Sequence, residues 1–282
     1  MAETTMHGLT DANRTRDAMN FVTVNGTLLH YELAGDPRAS TMVFSNSLGT
    51  DLRVWTPVLP FLPDGLCFLR YDKRGHGLSG MPEGPCTIED HARDLAGLLD
   101  HLEIRQAIVC GLSVGGLIAQ GLVALRPDLV RALILCGTAA RIGTAESWNE
   151  RMETIRQGGI AALADQILER WFTAAFRRER ADELAGWRNM LVRSPREGNL
   201  ATCAAIRDAD FREADRRIAV PTQCICGTED GSTPPDLVRE LAGLIPGAAF
   251  DLIEEAGHIA CVEQPERFAA VVTRFVEENG LA

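Results

Sequence analysis

One serine in this chain is flanked on each side, one residue away, by a glycine: Gly111-Leu112-Ser113-Val114-Gly115. The motif follows the apolar run QAIVC and opens the run SVGGLIAQGLVAL, which reads as a strand, a sharp turn and a helix. Glycines at those positions permit a turn that lifts the Ser113 hydroxyl clear of a sheet, with a helix N-terminus beneath it. With eight serines and 26 glycines in 282 residues, chance supplies roughly 0.07 such matches, before any strand-turn-helix context is required. A serine hydroxyl is a poor nucleophile until a neighbouring base takes its proton. On a turn of this kind the order along the chain is nucleophile, acid, histidine. Of the six histidines only His258 follows Ser113, in EEAGHIACVEQP, just past the last expected strand. The acid is sought after the strand TQCIC, in Gly227-Thr228-Glu229-Asp230-Gly231. Position favours Asp230, and Glu229 stays open as the alternative.

Attack on a carbonyl develops negative charge on its oxygen, which two backbone N–H groups have to meet. Val114, directly after the serine, supplies one; the loop Ser45-Asn46-Ser47-Leu48-Gly49 supplies the other, with Leu48 as the expected donor.

These residues need a scaffold, and the chain alternates as a scaffold should. FVTV and TLLHYEL flank Asn25-Gly26 and read as a hairpin over 21–33. TMVFSNS (41–47), CFLRYD (67–72), QAIVCG (106–111), RALILCG (131–137), TQCICG (222–227) and AFDLIEE (249–255) read as further strands. RVWTPVLPFL reads as a short helix. IEDHARDLAGLLDHL (88–102) places Ile88, Ala92, Leu95, Leu98, Leu99 and Leu102 at helical spacing, and ERFAAVVTRFVEEN is a closing amphipathic helix. Strands and helices in this rhythm predict an α/β fold, a mostly parallel twisted sheet with helices on both faces. The rhythm breaks from about 141 to 212, a stretch helical in character with no convincing strand. The expected organisation is a loose leader over 1–20, core over 21–140, a helical cap over 141–212, and core again over 213–282.

Composition sets outer bounds. At 46% hydrophobic and 24% charged the chain is ordinary globular protein, large enough to bury roughly three quarters of its unfolded surface without metal or disulfide staples. Its eight cysteines fall largely in apolar runs and form no CxxC pair, so they read as buried thiols rather than metal ligands. No run approaches the roughly 18 apolar residues of a membrane span, and MAETTMHGLTDANRTRDAMN lacks the apolar centre of a signal peptide. The expectation is a cytoplasmic protein without nucleic-acid or membrane partners, since a formal charge of −11 exerts no pull toward phosphate. Taken whole, −11 also argues against an anionic substrate. Of the 28 basic residues only Lys73 is lysine.

Ser113, Asp230 and His258 on this strand order resemble the α/β-hydrolase superfamily. SNSLGTDLRVW (45–55), RYDKRGHGLS (70–79), GPCTIEDHARDLAGLLDHL (84–102), CGLSVGGL (110–117), CGTAARIGTAESW (136–148), RWFTAAFR (170–177), AAIRDADFRE (204–213) and HIACVEQPERF (258–268) resemble, more narrowly, the 3-oxoadipate enol-lactonases. The likeness runs from about residue 21 to the end and includes the cap. The sequence departs from that pattern at Lys73, where a small polar residue is expected, at Val114, where methionine is usual, and in its extended N-terminus. The resemblance implies the α/β-hydrolase fold and a cofactor-free serine hydrolase that opens 3-oxoadipate enol-lactone in aromatic catabolism.

That substrate carries a carboxylate and asks for a cation near Ser113. Residues 141–217 hold fourteen arginines, no lysine and thirteen acidic residues, a net of +1, and the rest of the chain is −12. The acidity therefore lies outside the cap. Arg141 and Arg207 are the expected carboxylate contacts, with Trp148 and Trp171 as walls; Arg74 and His76 are expected to brace their own RGHG turn. The competing readings are another carboxylesterase, a carbon–carbon bond hydrolase or a perhydrolase on this scaffold, and a ligand receptor that keeps the fold.

Overall fold

The computed structural model describes residues 19–282; most of the expected leader lies outside the described residues. Strands β1 (Asn20–Val24) and β2 (Thr27–Ala34) form the hairpin, with Asn25 and Gly26 at φ 49° and 75° as a tight turn requires. Next come β3 (Ser40–Ser45), β4 (Leu66–Tyr71), α1 (Ile88–His101), β5 (Ala107–Leu112), α2 (Val114–Leu125) and β6 (Val130–Cys136). Six helices follow without a strand: α3 (Ala145–Gly158), α4 (Ala164–Trp171), α5 (Ala174–Glu179), α6 (Ala181–Arg193), α7 (Arg196–Asp208) and α8 (Arg212–Asp215). The chain then returns to the sheet through β7 (Thr222–Gly227), α9 (Pro235–Leu244), β8 (Ala249–Ile253), α10 (Ala260–Glu263) and α11 (Pro265–Glu278).

The eight strands form one sheet in the order β1-β2-β4-β3-β5-β6-β7-β8, antiparallel only where β2 meets β1 and β4. Its centre is apolar on both faces, as a helix-covered parallel sheet must be: Val43, Phe44, Ile108, Val109, Leu133 and Ile134 are fully buried. Helix α1 starts on a capping box in which Thr87 Oγ1 accepts the Asp90 N–H and the Asp90 carboxylate accepts the Thr87 N–H. It then packs along α2. All eight cysteines are free and buried. No helix among the described residues is long and apolar enough to cross a membrane.

Two local expectations fail for identifiable reasons. RVWTPVLPFL is not one helix but two 3-10 turns, Leu52–Trp55 and Leu59–Phe61, because Pro57 and Pro60 interrupt the hydrogen bonding. PDLVRELAGL, which none of the expected elements covers, forms α9, with a proline at the first helical position and Val238, Leu241 and Ala242 buried at helical spacing.

Sheet register sets up the site. Ser45 pairs with Gly111, and Leu112 with Cys136, so the ends of β3, β5 and β6 lie side by side at one edge. The loop 46–49, Ser113 and Gly137 therefore meet there, under the helices inserted between β6 and β7.

Candidate active site

Ser113 occupies φ 58°, ψ −118°, a conformation costing about 1–3 kcal/mol that surrounding structure has to hold. Its N–H donates to the Cys136 carbonyl at 2.9 Å, and its own carbonyl accepts from Gly116 N and Thr138 Oγ1, each at 2.8 Å. The flanking glycines are required by contact. A Cβ on Gly115 would lie 2.0 Å from the Ser45 carbonyl oxygen, and one on Gly111 would lie 2.3 Å from the Gly115 carbonyl oxygen. The strand, the helix and the neighbouring loop thus close to distances that only a hydrogen tolerates, which keeps the serine at the tip of the turn.

Asp230 and His258 meet on the next two connections. His258 Nδ1 lies 3.0 and 2.9 Å from the two Asp230 oxygens, and both side chains are almost wholly buried. Asp230 also accepts from Ser232 N at 2.8 Å, Thr233 N at 2.9 Å and Thr233 Oγ1 at 2.9 Å. A carboxylate is an acceptor for all of these, so the Nδ1 proton belongs to the imidazole and Nε2 keeps its lone pair. Ser232 and Thr233 were not anticipated as part of the site. Their signal was the Asx-turn spelling Asp-Gly-Ser-Thr, in which an aspartate accepts N–H groups two and three residues on. Glu229, the alternative acid, is exposed.

Ser113 and His258 line one cavity of about 350 Å³, together with Ser47, Leu48, Trp148, Arg151, Arg170 and Trp171 among others. That volume suits a small molecule. Val114 is the first residue of α2, so its N–H has no intrahelical acceptor. Leu48 N–H has no hydrogen-bond acceptor among the described residues, while its neighbour Gly49 donates to His76 Nε2 at 3.1 Å. Two backbone donors beside a serine with a histidine base can activate the hydroxyl and receive charge on a carbonyl oxygen.

The inserted helices supply the opposite wall, and here the sequence and structure part. Trp148 and Trp171 both line the cavity. Arg141 and Arg207 do not. Arg141 is exposed, 3.9 Å from Asp210, and Arg207 forks onto Asp208 at 2.7 and 2.8 Å and reaches Asn149 at 2.9 Å. Both already have acidic neighbours, the ordinary fate of a surface arginine. The cavity cations are instead Arg151 and Arg170, neither within 4 Å of a carboxylate among the described residues. Arg151 is the more enclosed: its Nε is buried without a partner, its guanidinium lies 5.4 Å from the Trp148 ring centroid, and the Cys203 sulfur is beside it. Burial pushes its pKa down from the ordinary value, yet a guanidinium keeps its charge. The sequence carried a faint signal, since no acid stands three or four residues from Arg151.

The cap is tied to the histidine loop from below. Glu263 accepts from Gly257 N at 2.9 Å, from Thr173 N at 3.2 Å and from Thr173 Oγ1, and Ile259 N donates to the Trp171 carbonyl at 3.3 Å. Burial pushes the Glu263 carboxyl up against the pull of those donors. Trp171 and His258, both lining the cavity, are thereby held in one frame.

The 3-oxoadipate enol-lactonase 2 of Acinetobacter baylyi is 35% identical over 258 residues, 90% of this chain and 96% of that protein. The enol-lactonase structure from Burkholderia xenovorans LB400 superposes with a TM-score of 0.88 at 42% identity, covering 92% of this chain and all of that one. A thermophilic esterase from Thermogutta terrifontis, solved with malate bound, gives 0.85 at 26% identity over 93% of this chain and 97% of its own. Residues 41–265 match the family described as the alpha/beta hydrolase fold. The chain belongs to the α/β-hydrolase family and is a hydrolase.

Proposed function

We propose that this hydrolase opens 3-oxoadipate enol-lactone to 3-oxoadipate, in the breakdown of protocatechuate and catechol, through an acyl-enzyme on Ser113. The observation that carries the substrate class is Arg151, an enclosed guanidinium without a carboxylate partner among the described residues, in the same cavity as Ser113 and His258. An unpaired cation in a partly closed site favours an anion, and the lactone brings one carboxylate.

In this reading His258 Nε2 takes the Ser113 proton as Oγ adds to the lactone carbonyl carbon. The N–H groups of Leu48 and Val114 receive the developing oxyanion, and Asp230 steadies the imidazolium. Collapse breaks the ring carbon–oxygen bond. His258 returns its proton to the departing enol oxygen, and the enol then tautomerises to the ketone. A water, deprotonated by His258, adds to the acyl carbon and releases Ser113 and the second carboxylate. Nothing in this sequence of steps calls for a cofactor.

The test is kcat/KM for the enol-lactone and for an uncharged ester of similar size, in the wild type and in Arg151→Met. The lactone value should fall by about 10- to 100-fold, the worth of a charge-assisted hydrogen bond, and the ester value should stay within about threefold. Equal losses on both substrates would overturn the assignment. A broader esterase for small anionic acids is the second reading, favoured by Arg170, a further cavity cation without a carboxylate partner. Turnover of several anionic esters at rates matching the lactone would select it.

A further inference from the structure

The segment from the last residue of β4 reads Tyr71-Asp72-Lys73-Arg74-Gly75-His76, and four of its side chains reach across to the end of β3 and the loop that follows it. Tyr71 Oη shares a hydrogen bond with Ser45 Oγ at 3.1 Å, and Lys73 Nζ donates to the Ser47 carbonyl at 2.6 Å. His76 Nε2 accepts from Gly49 N at 3.1 Å, and Asp72 Oδ1 accepts from Leu52 N at 2.8 Å. The loop carrying Leu48 is therefore strapped at residues 45, 47, 49 and 52. His76 braces this loop as well as its own turn, where its Nδ1 lies 3.3 Å from the Arg74 carbonyl, and Arg74 turns away to fork onto Asp94 of α1 at 2.6 and 2.7 Å.

Lys73 is the member of this set that needs explaining. It is the chain's sole lysine and is only 1% exposed. Burying an ammonium is costly, and a neutral side chain could brace a loop more cheaply. Its acceptor gives the reason. The Ser47 carbonyl and the Leu48 N–H belong to one peptide unit, and none of the described peptide bonds is cis. In a planar trans peptide the two point in opposite directions. Thr50 Oγ1 at 3.0 Å and Thr50 N at 3.3 Å donate to the same oxygen, so Lys73 is the shortest of three donors that together fix where the N–H aims. As the one cation among them it draws electron density toward the carbonyl and makes that N–H a stronger donor.

We propose that Lys73 is a positioning residue for the oxyanion-stabilising peptide Ser47–Leu48, setting the direction and donor strength of Leu48 N–H through the Ser47 carbonyl. This rests on the reading of Leu48 N–H as an oxyanion donor in a serine hydrolase. Lys73 touches neither substrate nor Ser113; its effect passes through the peptide. It should therefore act on the chemical step and be indifferent to the charge of the substrate.

The surroundings give this device a pH dependence. Burial pushes the Lys73 ammonium down to about 7, against the pull of Asp72 on its own segment and Asp51 on the braced loop. From the same segment His76 is pushed well below its ordinary value by burial and by Lys73, and from α1 His91 is pushed down to about 3 for the same reasons. Burial moves the Asp94 carboxyl up while Arg74 pulls it back, and moves the Cys86 thiol up to about 11. Of these groups Lys73 is the one whose charge changes near neutrality. A neutral amine still donates to Ser47 but no longer polarises the peptide.

The test compares wild type, Lys73→Met and Lys73→Arg on the enol-lactone and an uncharged ester from pH 6 to 9, normalised by active-site titration. A tetrahedral boronate inhibitor serves as the oxyanion probe. Lys73→Met should lose about 10- to 100-fold in kcat on both substrates, with KM within about twofold and boronate affinity weakened by a similar factor. Wild-type kcat should decline past neutrality to a lower plateau, and Lys73→Met should lack that decline. Lys73→Arg keeps the cation and should keep kcat across the alkaline range. Unchanged kcat and boronate affinity in folded Lys73→Met would overturn the proposal. If that variant does not fold, a wild-type kcat flat from pH 7 to 9 would overturn it instead. Ser113→Ala separates the two layers: turnover surviving there removes the underlying reading, whereas turnover lost there but intact in Lys73→Met removes the role of Lys73 alone.

Discussion

The two walls of the cavity are built on opposite principles. On the sheet side the functional polar groups are largely occupied by the protein itself. Asp230 accepts from four donors, His258 Nδ1 is held by Asp230, and the loop after β3 is strapped at four points. Ser113, whose hydroxyl has no hydrogen-bond partner among the described residues, and His258 line the cavity beside Leu48, whose N–H is likewise without an acceptor. On the cap side the reverse holds, and Arg151 keeps a buried Nε and a charge with no carboxylate to meet it. A reacting centre has to be rigid before substrate arrives, because reorganising dipoles during the reaction wastes their effect. A selecting surface has to be incomplete, because its missing partner is what it selects. Reaction type is thus written on the sheet side and substrate class on the cap side.

The largest effect expected from that division is on the sheet side and blind to substrate. Ser113→Ala and His258→Ala should each lower kcat by at least about 10⁴-fold on lactone and neutral ester alike, with Tm near the wild-type value. Near-normal turnover in His258→Ala would dismantle the assignment of the base. Arg151→Met, tenfold to a hundredfold and confined to the anionic substrate, is the cap-side counterpart. A smaller sheet-side effect belongs to Thr233, whose hydroxyl donates to Asp230 while three other donors remain. Thr233→Val should cost about 3- to 10-fold in kcat on both substrates, less than the full worth of a hydrogen bond to a charged group because the other donors keep Asp230 in place. A loss seen with the lactone alone would contradict the division between the walls.

The same division explains what could be read from sequence. Ser113 was legible because a nucleophile turn is a local pattern, five residues between an apolar strand and a helix. His258 followed by elimination from chain order, and Asp230 from the strand TQCIC that delivers it. The strands themselves were legible because a sheet covered on both faces needs near-continuous apolar runs. The cap cation was not legible. Arg151 lacks a partner only because α3 packs against α7, which puts Cys203 rather than an acid beside it. Arg141 looks available in one dimension, and its carboxylate neighbour Asp210 comes close only in the fold; Arg207 had its acid, Asp208, as the next residue in the chain. Lys73 stood out as a departure from its family's pattern, but its target, a carbonyl 26 residues earlier, is a tertiary fact.

The weakest expected effect on turnover tests whether a missing partner by itself marks a site. Asp215, the last residue of α8, is like Arg151 a buried ionisable group without an opposite charge beside it: it is fully buried, and neither carboxylate oxygen has a hydrogen bond among the described residues. It differs in not lining the cavity that holds Ser113 and His258. Burial, with Asp210 nearby, pushes its carboxyl up to about 7, so in the fold it is neutral through mildly acid pH and no ligand is required to satisfy it. The sign follows from the two states. In the unfolded chain the carboxyl ionises near its ordinary value of 3.8, and in the fold only near 7, so the folded state binds the extra proton between them. Stability therefore falls as pH rises across that window and is flat above it. Asp215→Asn removes the ionisation, so it should match wild type near pH 4 and exceed it at pH 8 by roughly 2–4 kcal/mol, read as a Tm gap that opens with pH. Turnover of both substrates should be unchanged. A partnerless buried charge that faces a cavity should move kcat/KM, and one sealed in the fold should move only the stability curve. If Asp215→Asn impaired turnover while leaving the Tm gap closed, partnerlessness could no longer be sorted by what it faces, and the case for Arg151 would lose its basis.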